Sequence, residues 1–108
     1  DFKLRHGEAV SVGMVAAARI AVRIGLAESS LGERLQTVLT AWALPLDCRV
    51  PEWPRFQADA IWQARAYDKK RRRDTLRWVL PLAIGELTIT EDVPGPTVMT
   101  TLRELGAD

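Results

Sequence analysis

Few side chains in this sequence could start chemistry, and the first stands at its beginning. His6, the sole histidine of 108 residues, is followed by Gly7-Glu8-Ala9-Val10. Imidazole is the commonest protein metal ligand and titrates near neutrality. At the head of an apolar helix it could offer a ring nitrogen to a cleft while the helix behind it fixes the backbone. One histidine cannot build a metal site, because catalytic zinc takes about three protein ligands and keeps a further position open. The HExxH spacing, which puts two imidazoles and a general base on one helical face, is absent. Two readings therefore stand: an ordinary surface or capping histidine, or one corner of a site completed by other polypeptide. Glu8 either accepts a hydrogen bond from that imidazole or complements the positive end of the helix dipole.

The second candidate is Asp68-Lys69-Lys70-Arg71-Arg72-Arg73, a run of cations behind one acid. It reads as a solvated turn that ends a helix favourably, as a nucleic-acid contact, or as one or two working lysines with the arginines left in water. Lysine suits phosphate as a compact point charge, and Asp68 could orient a neighbouring lysine. Nucleic acid would call for a wider basic surface. The tryptophans Trp42, Trp53, Trp62 and Trp78 sit at helix and strand spacings that fit a core better than a stacking platform, so no function is assigned to them.

Fifteen basic and fourteen acidic side chains leave a net charge of +1, which advertises neither a nucleic-acid nor a membrane partner. Apolar residues at 47% and charged residues at 27% fit a globular chain of one domain's size. The single cysteine, Cys48, excludes an internal disulfide and fits a reducing compartment. The uncharged run from Ala9 to Ala18 is far shorter than the roughly 20 residues a bilayer demands. With no leader pattern at the start, cytoplasm is the default location. An opening Asp1-Phe2-Lys3 without methionine suggests a fragment, a processed chain or an excised domain.

The elements that must position these residues are mostly helical. Between Ala9 and Ile24 only Ser11, Gly13, Arg19 and Arg23 break an apolar run. A helix apolar over most of its circumference belongs at the centre of a bundle. Gly13 implies close approach of another backbone or a ligand, since it costs about 1 kcal/mol in a helix, and Gly25 is placed to stop the helix. Ser30-Leu31-Gly32-Glu33 reads as a capping box opening a second helix, with Leu31, Leu35, Val38, Leu39 and Trp42 on one face and an end before Pro45. Residues 45–54, with three prolines, read as a loop. A third helix is expected from about Arg55 to Lys69, burying Phe56, Ala60, Ile61, Ala64 and Tyr67. Period-two alternation in Thr75–Leu80 and Glu86–Thr90, around a five-residue connection ending at Gly85, predicts a β-hairpin. After Pro94-Gly95-Pro96 a last helix turns Val98, Leu102 and Leu105 inward and stops at Gly106. The fold class is mainly α: a multihelical bundle with one small hairpin.

Together these segments resemble the C-terminal domain of the 3-dehydroquinate synthase family. The resemblance rests on HGEAVSVGMVAAARIAVRIGL at 6–26, DKK at 68–70 and LRWVLPLAIGELTITEDV at 76–93, in the family's order and over nearly the whole chain. It implies a two-domain enzyme in which residues 1–108 supply the C-terminal helical domain and a separate N-terminal nucleotide-binding domain holds NAD⁺. The implied reaction turns 3-deoxy-D-arabino-heptulosonate 7-phosphate, a sugar phosphate, into 3-dehydroquinate and phosphate in the shikimate pathway. The family's metal, zinc or cobalt, is held by a glutamate and two histidines. His6 matches the later histidine, and the other ligands would lie upstream. A lysine of the DKK segment contacts substrate, so Lys69 or Lys70 inherits that role.

The chain has no glycine-rich strand-turn-helix for a dinucleotide, so by itself it should be inactive. Residues 61–67 are bulkier than the family's pattern, which bears on packing more than chemistry. A homodimer is compatible with this reading, as is apolar surface left bare where a partner belongs. A related sugar-phosphate cyclase and a small basic nucleic-acid module are the alternatives.

Overall fold

The computed structural model describes residues 6–64, 78–83, 85–91 and 93–108, with position 6 described by its main chain alone. Helix α1 spans His6–Arg23 and α2 spans Ser30–Ala41. The described part of α3 covers 58–64. Strands β1 (Trp78–Ala83) and β2 (Glu86–Thr90) pair antiparallel, and α4 covers Gly95–Glu104. The mainly helical bundle with one hairpin is what the sequence predicts.

Helix α1 is the axis, packed against α2, β1 and α4. Toward the hairpin and α4, Ile20 and Ala21 meet Leu80, Val93 and Val98, with Trp62 and Trp78 closing the edge. Those two indoles stack with centroids 6.4 Å apart and planes 12° from parallel. On another side Val15 meets Leu39 and Leu105, flanked by Leu35, Leu44 and Leu46. An all-round apolar helix buries more than one face only at the centre, so its composition and its place agree.

Three helix ends close in the same way. At the end of α1, Gly25 donates to Val22 O and Leu26 to Ala21 O. At the end of α4, Gly106 donates to Arg103 O and Ala107 to Leu102 O. Both glycines have positive φ, as this paired motif requires. The end of α2 repeats the pattern through Ala43 and Leu44, yet Ala43 is the left-handed residue, with φ 57°.

Several expectations are corrected. Ser30 is the first residue of α2, not its cap: Ser29 holds the cap position with helical angles and no side-chain bond. The chain enters through tight turns, Leu31 donating to Glu28 O and Gly32 to Ser29 O, so no capping box forms. On α2 the buried stripe is Leu31 and Leu39, with Leu35 half-buried, while Val38 and Trp42 point to solvent. Trp42 is 76% exposed and belongs to no core.

Helix α3 starts later than expected because its approach is used elsewhere. Asp108 N–H donates to Phe56 O, and Ala58 N–H donates to Asp108 O. That stitch holds 56–58 against the chain's end. Ala58 and Trp62 take the inner side, whereas Ala60, Ile61 and Ala64 are exposed. Tyr67 lies outside the described residues.

The hairpin connection is also shorter than expected. Strand β1 runs on to Ala83, with an irregularity between Pro81 and Ala83. A two-stranded sheet has only edge strands, where proline is tolerated. In β1 the alternation holds, with Trp78 and Leu80 inward and Val79 outward, but in β2 it is reversed: the half-buried Thr88 and Thr90 share the core side with Leu80 and Trp78, while Leu87 and Ile89 face out.

Replacing Ala43 by glycine should remove the strain of a left-handed alanine. The expected gain is about 0.5–1 kcal/mol, read as a rise of a few degrees in the thermal unfolding midpoint.

Candidate active-site face

The site can be built only from what fixes the head of α1, where His6 is the first helical residue. Apolar packing of α1 sets its axis but leaves sliding and rotation to be stopped by directional contacts. At the near end that contact is Ser11, 1% exposed within an otherwise apolar stretch. Its hydroxyl lies 2.7 Å from Pro45 O, in the loop after α2, and 2.9 Å from Glu8 O. One hydroxyl proton cannot serve both fully, and the shorter distance assigns it chiefly to Pro45.

At the far end Arg23 donates to Thr101 Oγ1 at 2.9 Å and to Glu104 Oε2, while Arg19 reaches Glu104 Oε1 at 3.1 Å. Thr101, fully buried, passes its own proton to Thr97 O. The hydrogen bond from Arg23, with the charges of Arg23 and Arg19, holds the Glu104 carboxyl below its ordinary pKa. These anchors are what inspection of the sequence missed. The available signal was a lone hydroxyl or cation within an apolar run.

By helical spacing, position 6 shares a stripe with Val10 and Met14, both exposed. Glu8, half-buried in the first turn, is two residues on and belongs to a different stripe. Its position suits the helix dipole. Asp68, Lys69 and Lys70 lie outside the described residues.

Among the described residues no group of three His, Cys, Asp or Glu side chains could hold a metal ion. Catalytic zinc takes about three protein ligands, so a metal held by this chain would draw on donors outside that set. Burial pushes the Cys48 thiol up, so it is not a ready nucleophile. No helix among the described residues is long and apolar enough to cross a membrane.

The model of the family described as 3-dehydroquinate synthase C-terminal matches residues 1–71. The chain belongs to that family. Residues 1–71 include both His6 and the Asp68-Lys69-Lys70 segment. The 3-dehydroquinate synthase of Crocosphaera subtropica is 34% identical over 103 residues, covering 95% of this chain and 27% of that protein. That of a Synechococcus strain is 38% identical over 102 residues, covering 94% and 27%. Among solved structures, a 2-epi-5-epi-valiolone synthase from Streptomyces hygroscopicus, with NAD⁺ and Zn²⁺ bound, superposes with a TM-score of 0.75. Its identity is 27%, over 95% of this chain and 27% of that one. The chain spans little more than a quarter of these relatives.

Two outcomes follow from the anchors. Ser11→Ala should cost about 1–2 kcal/mol, since it strands a carbonyl held by a buried hydroxyl, and thermal unfolding measures it. For Glu104, a carboxyl whose pKa falls on folding stabilises above its unfolded value and stops doing so as pH drops through the folded value. Glu104→Gln should therefore lower stability by roughly 0.5 kcal/mol near neutrality. Denaturant melts across a pH series should show the gap closing in acid.

Proposed function

We propose that this chain is the C-terminal metal- and substrate-binding part of a 3-dehydroquinate synthase. In the complete enzyme, 3-deoxy-D-arabino-heptulosonate 7-phosphate becomes 3-dehydroquinate and phosphate. The observation that carries the reading is the family match over residues 1–71, which takes in His6 and the DKK segment together. An N-terminal domain binds NAD⁺, and the remaining metal ligands come from polypeptide upstream of this chain. The fragment alone is inactive, the enzyme is cytoplasmic, and a homodimer is its assembly.

His6 gives one ring nitrogen to a zinc or cobalt ion from the head of α1, and Ser11 keeps that head in register. When bound, the ion supplies Lewis acidity and NAD⁺ a hydride acceptor. Lys69 or Lys70 holds the anionic groups of the substrate in one pose, which lowers the barrier by fixing orientation. Asp68 orients the working lysine, and Glu8 complements the amino end of α1.

A second reading has its own support. Similarity to a 2-epi-5-epi-valiolone synthase favours a related sugar-phosphate cyclase on the same scaffold. Identifying the carbocyclic product of the complete enzyme separates the two.

His6→Ala in the complete enzyme should weaken zinc binding by more than about 100-fold, beyond the 10–100-fold cost of losing only a ligand's hydrogen-bond partner. Turnover should fall while the unfolding midpoint of the metal-free protein stays put. Replacing Lys69 and Lys70 singly by alanine should raise KM about 10–100-fold for one of them, the worth of a charge-assisted hydrogen bond. Wild-type kinetics in both variants would remove the lysine from the mechanism.

A further inference from the structure

Within α1, Gly13 lowers helix propensity by about 1 kcal/mol against alanine, and the described residues offer no reason for it. Beyond the helix's own backbone, a methyl group built at that position meets no atom of the described residues within 4 Å. Gly13 instead floors an apolar groove of about 400 Å³. Val10, Met14 and Ala17 of α1 continue the floor, and Val79 and Leu87 of the hairpin form a wall. Among the described residues no charged side chain lines it. The reversed strand β2 belongs to the same surface. Leu87 at 69% and Ile89 at 67% exposure stand outward, while threonines take the core side. Apolar side chains crowded on one bare face mark a binding surface.

What covers it follows from length and direction. This chain accounts for 27% of the Crocosphaera enzyme, and the matched family model describes the C-terminal end. A C-terminal domain is preceded by further polypeptide of such an enzyme, which arrives from the amino side. There α1 begins, and within two turns it presents Val10 and Met14 to the groove. We propose that the groove seats an apolar segment of the polypeptide preceding this chain in the complete enzyme, its main chain passing close over Gly13. The proposal rests on the functional reading above for the existence of that polypeptide. It adds where the segment docks and why the glycine is there.

The test compares Gly13→Leu in two settings by thermal unfolding. In the 108-residue chain leucine enters open space and improves the helix, so the midpoint should rise by a few degrees. In the complete enzyme the same side chain occupies the neighbour's place, and the midpoint should fall by at least about 3 °C. Leu87→Ser, which inserts nothing, should also lower the midpoint of the complete enzyme while leaving the short chain nearly unchanged. A rise or no change for Gly13→Leu in the complete enzyme overturns the proposal. So does a dimer of the short chain that Gly13→Leu dissociates while the complete enzyme is unaffected, because the occupant is then a second copy. Unfolding does not depend on turnover. A complete enzyme that forms no dehydroquinate yet shows the opposed shifts would refute the functional reading and leave the docking assignment standing.

Discussion

The burial of α1 on several sides at once governs this molecule. Its apolar circumference forces α2, α4 and the hairpin to gather round it, and two buried clusters on its flanks result. Apolar packing alone is non-directional, so a rod held that way could turn or slide. Ser11 on Pro45 and the two arginines on Glu104 remove those freedoms at opposite ends. What the anchors preserve is the rotational setting of the first turn, which decides the side toward which a residue at position 6 is carried.

The legible parts of the fold were those governed by local rules. Helices α1 and α4 followed from apolar spacing and from the glycines beyond their ends. Errors arose where a distant partner decided the outcome. The start of α3 depends on a strand-like contact with Asp108, some fifty positions away, which no local pattern carries. The exposure of Val38 and Trp42 depends on which stripe of α2 reaches α1. The choice between Ser29 and Ser30 turned on backbone angles at a doubled serine. The hairpin faces were misleading for another reason: Leu87 and Ile89 are apolar without being covered by any described part of this chain.

The site was legible in a different way. Spacing alone left His6 between a capping residue and a ligand, and left the basic run between solvent and substrate. Only a motif shared with a family weighted those choices, and the match over residues 1–71 places the chain in that family. The structure contributes the frame: a fixed helix head, a hydroxyl that fixes it, and no group of three candidate metal ligands among the described residues.

The tail joins regions far apart in sequence. Cys48 N–H donates to Leu105 O, and residues 56 and 58 bracket Asp108. The main-chain bonds of Cys48, Phe56 and Ala58 thus depend on the last helix and the residues after it, and forming them carries the entropy of closing a long loop. Removing the Asp108 main chain would therefore release Phe56 and Ala58 while the bond from Ser11 to Pro45 stays in place.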